Sequence, residues 1–153
     1  MNDKWNRRFM GLAWFISSWS DDPSTHVGAV AVDPILKKQL AMGWNGFPRK
    51  IADTPERYFN REIKYELIVH AETNVIYNAT YTGTSLNGAY LYVWGLPVCN
   101  DCAKAIIQVG IKKVYITQES LDITTKDKSK RWFESWEKTK KLFEEAQIMW
   151  SAI

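Results

Sequence analysis

Cysteine and histidine are scarce in this chain, with two of each among 153 residues. Two thiols cannot make the disulfide framework by which a small secreted scaffold compensates for a thin core. Cys99 and Cys102, close together after an apolar stretch, suggest metal or redox chemistry in a reducing compartment instead. Long apolar runs are also missing: none approaches the roughly 18 residues that suggest a membrane span. Met1-Asn2-Asp3-Lys4-Trp5 lacks the apolar core of a secretory signal, so the default expectation is cytoplasmic. A large excess of one charge is lacking too. A net charge of +3 is too small to announce a polynucleotide binder, so neither a nucleic-acid polymer nor a membrane is expected as a partner. An anionic small molecule is compatible with that charge. There is no internal repeat and no low-complexity tract. What is present, 46% hydrophobic and 24% charged residues, fits one globular domain over residues 1–153 with a substantial core.

Trp5, Phe9, Leu12, Ala13, Ile16 and Trp19 recur at helical spacing, which predicts an amphipathic helix over residues 4–19. Asp21-Asp22-Pro23-Ser24-Thr25 then breaks it into a polar loop. Residues 27–32 form a short apolar β-rich run, Asp33-Pro34 turns the chain, and residues 39–44 supply an antiparallel partner, making a hairpin. The polar segment 51–65 predicts a loop with no more than a short helical turn. A helix is expected from about His70 to Thr80, a strand over 89–94, a helix over 102–109 closed by Gly110, and a strand over 113–117. A charged loop at 126–131 precedes a long helix marked by Trp132, Trp136, Phe143 and Ala146, and a last strand falls within 148–153. A hairpin followed by strand–helix–strand units predicts an α/β protein, a three-layer α/β/α sandwich whose mixed sheet has about five strands.

The chemistry concentrates in two segments. His70-Ala71-Glu72 and Pro97-Val98-Cys99-Asn100-Asp101-Cys102 contain both cysteines and one of the two histidines. One imidazole and two thiolates three residues apart can hold zinc and leave its fourth position open, which separates a catalytic zinc from a structural one. Glu72, two residues after the histidine, can move protons beside the metal without binding it. H-x-E followed by paired cysteines is the pattern of the zinc nucleobase deaminases and points to hydrolysis of an exocyclic amine. Both segments fall at predicted helix starts, whose positive ends stabilise thiolates.

Plainer readings compete with these. Taken alone, Cys-x-x-Cys between a strand and a helix suits a thioredoxin-like redox site equally well; the upstream His-x-Glu has no role in that chemistry and favours zinc. A closed structural zinc needs a fourth protein ligand, and His26, the one other histidine, reads more simply as a solvent-facing loop residue. Asn45 between two glycines reads as a turn former as well as a contact. Eight tryptophans suggest base stacking on single strands, yet Trp5, Trp19, Trp132 and Trp136 lie at helical spacing and read as core or subunit interface. Trp94, just before the cysteine turn, is the one placed near the pocket. Residues 126–131 read as a solvated loop or as a basic cluster contacting nucleotide phosphate. A nucleotide-binding regulatory protein without turnover is a rival of another class; the presence of Glu72 and all three ligands counts against it.

With these residues in place, the chain resembles the cytidine deaminase superfamily and, within it, the deoxycytidylate (dCMP) deaminase family of bacteria, eukaryotes and phages. Residues 22–30 resemble that family's first loop and strand, and Gly43-Trp44-Asn45-Gly46-Phe47-Pro48 its G-[YW]-N-G-x-P segment. His70-Ala71-Glu72-Thr73-Asn74-Val75-Ile76 resembles H-A-E-x-N-A-I, and residues 102–107 resemble its third helix. The resemblance covers about residues 5–117. It departs from the pattern at Val98, which separates Pro97 from Cys99. Beyond the three ligands only His26 remains, too little for the additional structural zinc that some phage members bind.

The resemblance implies one catalytic Zn²⁺ per chain on His70, Cys99 and Cys102, with Glu72 as the catalytic acid and base. It implies dCMP as substrate and dUMP as product, with dCTP, deoxycytidine or cytidine as alternative substrates. The backbone N–H of Ala71 would meet the base carbonyl, Asn45 the sugar or phosphate end, and the loop carrying Ser24 and Thr25 would face the phosphate. It further implies a homo-oligomer, often a hexamer, activated by dCTP and inhibited by dTTP.

Overall fold

A computed structural model describes residues 1–126 and 130–153 of the chain. Its first helix, α1 (Asp3–Ser17), starts where the side chain of Asn2 accepts the Trp5 N–H, and it buries Phe9, Met10, Ala13 and Ile16 along one stripe. The hairpin follows as β1 (Gly28–Asp33) and β2 (Lys38–Trp44), paired antiparallel with Gly28 opposite Trp44. Asp33 organises the connecting turn by accepting the N–H groups of Ile35 and Leu36 at 2.8 and 2.9 Å. Beyond it come α4 (Ala71–Tyr81), β3 (Tyr90–Trp94), α5 (Asn100–Gln108) and β4 (Lys113–Ile116), then α7 (Lys130–Glu145) and β5 (Met149–Ala152).

The five strands lie in the order β2-β1-β3-β4-β5. The β1–β3 pair is antiparallel, whereas β3–β4 and β4–β5 are parallel, so the sheet is mixed. Alternation along the strands divides the core between the two faces. Val30, Val32, Tyr92 and Tyr115 meet α1 on one side. Ala29, Ala31, Leu91, Val93, Val114 and Ile116 meet residues of α4, α5 and α7 on the other. Covering both faces explains why β1 reads as a nearly unbroken apolar run and not as an alternating one. The result is the expected α/β/α sandwich.

Two stretches differ from their sequence reading. The segment expected to be mostly loop forms two short helices, α2 (Pro55–Phe59) and α3 (Arg61–Leu67). Pro55 occupies the first helical position of α2, where its missing N–H is harmless, and the Asn60 side chain caps α3 by accepting from Glu62 and Ile63. Neither helix carries a broad apolar stripe, which is why periodicity misses them. Tyr58 anchors the pair through ring stacking on Phe47 with centroids 4.2 Å apart. The second difference is α6 (Gln118–Lys126), started by Thr117, whose hydroxyl accepts the Ser120 N–H at 3.0 Å. The charged loop expected at 126–131 therefore has Lys126 at the end of one helix and Lys130 and Arg131 at the start of the next; residues 127–129 lie outside the described residues. Gly110 closes α5 with φ of 81°, as its position predicts. Among the described residues no helix is long and apolar enough to cross a membrane.

Close packing of α4 on the hairpin sets where the chemistry sits. A Cβ on Gly43 would lie 2.7 Å from the Val75 nitrogen and 2.8 Å from the Ala71 carbonyl oxygen, so the two backbones nearly touch. Asn74 and Asn78 of α4 donate to the β2 carbonyls of Trp44 and Met42 at 2.7 and 2.6 Å, which fixes the register of that contact. Gly43→Ala is expected to lift α4 and destabilise the fold by about 1–3 kcal/mol. Thermal unfolding should show a Tm lower by about 2–4 °C for each of those kcal/mol, and an unchanged Tm would mean the contact yields without strain.

Candidate active site

The strand pairing gathers three loops at one end of the sheet. Gly28 pairs with both Trp44 and Trp94, so the entry to β1, the exit of β2 and the exit of β3 are neighbours. Gly46 and Val69 exchange both backbone hydrogen bonds, at 3.1 and 2.9 Å, and so bring the start of α4 to the same end. His70 is the residue before the first turn of α4, and Cys99 holds the same place before α5. The Cys99 sulfur accepts the Cys102 N–H at 3.4 Å, as a capping side chain does.

His70 Nδ1 lies 3.3 Å from Cys99 Sγ and 3.4 Å from Cys102 Sγ, and the three ligand atoms fall within 4.8 Å of one another. A tetrahedral zinc bonded to sulfur at about 2.3 Å and to nitrogen at about 2.0 Å keeps its ligand atoms roughly 3.5 Å apart, so the set fits the ion with little movement. The charges fit as well. A hydrogen bond from Cys102, followed by one from His70, lowers the Cys99 thiol to about 4. The same bond raises the Cys102 thiol, because its proton is held between two sulfurs. The bond to Cys99 raises the His70 imidazole to about 9. A bound cation needs thiolate sulfurs and a neutral imidazole, so its binding releases the protons these groups carry. Thr73 adds a hydroxyl 3.5 Å from Cys102 Sγ.

Glu72 stands beside this triad, 3% exposed in the first turn of α4. Burial raises its carboxyl to about 7, in the range useful for taking and returning a proton at neutral pH. His70, Ala71 and Glu72 form the floor of a cleft of about 200 Å³, walled by Val27, Ile68, Leu96, Pro97 and Trp132.

Of the residues expected to meet substrate, Ala71, Asn45 and Thr25 border this cleft. Asn45 is nevertheless engaged with its neighbours: Oδ1 accepts the Val27 N–H at 2.8 Å, and Nδ2 donates to Thr25 O at 2.8 Å and Asp22 Oδ2 at 3.4 Å. It braces the loop over residues 22–27. Ser24 and Trp94 do not border the cleft; with Pro23, His26 and Gly95 they line an adjoining hollow that shares Thr25 and Leu96 with it. Strand alternation is the reason for Trp94, since Val93 points to the α4 side of the sheet and Trp94 packs on the α1 side. Ser24 turns toward Asp22 and Lys64, at 2.9 and 2.8 Å from Asp22 Oδ1 and Lys64 Nζ.

Asp22, Lys64 and Tyr65 border the cleft without having been anticipated. Lys64 Nζ sits 2.6 Å from Asp22 Oδ2 and 2.8 Å from Oδ1. Burial alone would raise the Asp22 carboxyl, but hydrogen bonds from Lys64 and Ser24 outweigh it and hold it below its ordinary range. The available signal was helical spacing through Arg61, Lys64, Tyr65 and Ile68, hidden in a segment whose composition reads as loop. Trp132 was legible only as one residue of a helix face. The same helix secures the cysteine turn. Ser135 Oγ accepts the Asn100 N–H at 3.1 Å and donates to Asn100 Oδ1 at 2.9 Å, while Thr139 donates to the Val98 carbonyl at 3.0 Å. Val98, the residue that separates Pro97 from Cys99, is fully buried.

Comparison with known proteins agrees with this geometry. The family model for the cytidine and deoxycytidylate deaminase zinc-binding region matches residues 3–118. An uncharacterized deaminase of Aliivibrio fischeri is 36% identical over 148 residues, covering 97% of this chain and 92% of its own. Human deoxycytidylate deaminase is 37% identical over 118 residues, covering 72% of this chain and 63% of its own length. The apo crystal structure of dCMP deaminase from cyanophage S-TIM5 superposes with a TM-score of 0.64 at 27% identity, over 82% of this chain and 94% of that one. The structure of that enzyme with dCMP and dUMP aligns over 100% of this chain and 99% of the other, with a TM-score of 0.73 at 22% identity, which is a likeness of fold. The matched region contains Glu72 and the three side chains that can hold zinc, and the folds agree across the sheet that brings them together: the chain belongs to the cytidine and deoxycytidylate deaminase family, zinc-dependent hydrolases of nucleobase amines.

Proposed function

We propose that this protein deaminates dCMP to dUMP, with residues 1–153 acting as one deaminase domain. The observation that carries the reading is the buried Glu72 carboxyl at the floor of a cleft that His70 also lines, with Cys99 and Cys102 gathered on that imidazole. The identity to deoxycytidylate deaminases supports the choice of base and sugar. When bound by His70, Cys99 and Cys102, zinc supplies Lewis-acid activation of water at neutral pH. The protein's own groups do the rest. The base enters with its amino-bearing edge toward Glu72. Glu72 takes a proton from the attacking water and delivers it to ring N3 as the oxygen adds to C4. It then takes the proton of the new C4 hydroxyl and passes it to the amino group, which leaves as ammonia as C4 becomes a carbonyl. The backbone N–H of Ala71, unpaired within the first turn of α4, donates to the base carbonyl. Val27, Ile68 and Leu96 keep the ring flanked by apolar surface, which strengthens each of these polar contacts.

The family resemblance extends the proposal to a homo-oligomer, a hexamer included, with dCTP and dTTP as effectors. Support for self-association comes from an exposed aromatic group. Trp14 and Phe15 are more than half exposed, and Trp19 joins Phe15 to Trp44 with ring centroids 5.9 and 5.2 Å apart.

Glu72→Gln is expected to keep the fold and the metal while lowering kcat by about 10²–10⁴-fold, as loss of a positioned acid–base group does. Chromatography of dUMP and metal analysis of the same sample check this, and a variant that retains kcat would end the assignment. Metal removal is a separate test. A chelator should abolish turnover, zinc at one ion per chain should restore it, and the loaded protein should unfold at a higher temperature. The stabilisation is about 4 kcal/mol when free zinc exceeds its Kd a thousandfold. Turnover by fully metal-free protein would remove zinc from the reaction.

A further inference from the structure

We propose that Arg131, stacked on Tyr65 at the mouth of the cleft, is the residue that selects a substrate carrying a 5′-phosphate. This rests on the dCMP reading and extends it to the anionic end of the molecule. The cleft offers about 200 Å³, whereas pockets that enclose most of a ligand of nucleotide size run from about 300 Å³ upward. A base seated against Glu72 therefore leaves the phosphate at the mouth.

The cations there differ in what they have left to offer. Lys64 lines the cleft, but its ammonium is held by both oxygens of Asp22 and by Ser24, so its charge is already neutralised. The guanidinium carbon of Arg131 lies 5.1 Å from the Tyr65 ring centroid, and that of Arg61 lies 5.4 Å from the same ring. Tyr65 itself borders the cleft and is half exposed. Stacking uses the face of a guanidinium and leaves its in-plane N–H groups free, in the fork that matches two phosphate oxygens. Among the described residues neither arginine is bonded to a carboxylate.

The described acids that share a hollow with Arg131 are paired as well. Asp101 and Glu134 share with Arg131 the hollow next to the cleft, and they pair with Lys104 at 2.6 Å and Lys130 at 3.7 Å. The first turn of α7, which carries Arg131, contains no acidic residue to offset its positive end. Two positive groups held around one phenol ring beside the cleft, with no counter-charge bonded to them among the described residues, form a seat for a dianion. Arg131 also lies beyond residues 3–118, the stretch that matches the family. The proton chemistry thus belongs to the shared region, and discrimination at the phosphate to a helix outside it.

The test compares kcat/KM for dCMP and for deoxycytidine in the zinc-loaded wild type, Arg131→Gln, Arg131→Lys and Arg61→Gln. Arg131→Gln should lower the dCMP-to-deoxycytidine ratio roughly 10- to 100-fold, the effect of removing a charged hydrogen-bond donor, chiefly by raising KM for dCMP. Arg131→Lys should restore only part of it, because an ammonium lacks the planar fork, and Arg61→Gln should give a smaller loss. An unchanged ratio in Arg131→Gln, whether both activities persist or fall together, overturns the assignment and leaves the dCMP reading standing. Wild-type protein that fails to turn over dCMP overturns both.

Discussion

Three ligand atoms from two helix starts must meet within one coordination sphere, and most of the architecture can be understood from that requirement. His70 precedes α4 and Cys99 precedes α5, and nothing local ties one helix to the other. The sheet ties them. Gly28 pairs on one side with the end of β2 and on the other with the end of β3, which puts the chain ahead of α4 beside the chain ahead of α5. Gly43 lets α4 approach the hairpin backbone closely enough to hold that position, and Ser135 and Thr139 of α7 hold the cysteine turn from the far side. A coordination site tolerates errors of only a few tenths of an ångström, and these contacts are of the kind that supply such tolerance.

The site's electrostatics follow from its position at helix N-termini inside a protein core. The carboxyl and two thiols are buried and the imidazole is half-buried, so each group's protonation depends on its neighbours. Glu72 is raised by burial, whereas Cys99 is lowered by donors that face its sulfur. Next to them a second polar network, Asp22, Asn45, Lys64 and Ser24, is satisfied among its own members and frames one wall of the cleft. Ser20 extends it by donating to the Asn45 carbonyl at 2.8 Å. One network leaves its chemistry open to a ligand; the other is closed on itself and serves as scaffold.

The cleft is built from parts of unequal generality. Its floor comes from His70 and the first turn of α4, within the region that matches the family. Its mouth comes from α3 and α7, through Tyr65 and Trp132, and α7 lies beyond that region. A reaction centre fixed by metal geometry and a rim supplied by separate helices permit one chemistry to be matched to different substrates. The Arg131–Tyr65 contact joins the two rim helices across the mouth.

His70, Glu72, Cys99 and Cys102 were legible from the sequence because zinc and proton transfer demand particular side chains at short, characteristic spacings, and this chain has few cysteines and histidines to choose among. The five strands and the helices α1, α4, α5 and α7 were legible because burying two sheet faces requires long runs with a clear period. α2, α3 and α6 were not, since their starts depend on single capping residues and their apolar stripes are slight. The substrate end was beyond sequence reading for a related reason. Trp94 adjoins the cysteine turn in the chain yet lies on the opposite sheet face, and Ser24 sits in the expected loop yet turns to Lys64. Conversely Lys64, Tyr65 and Trp132 come to the cleft from distant segments. The sequence by itself determined the set of side chains that can hold the metal and the class of fold, because each rests on local spacing or on periodicity. Only the tertiary structure decided which residues surround the rest of the substrate, because that depends on how side chains far apart in the chain are oriented once the sheet and its helices have packed.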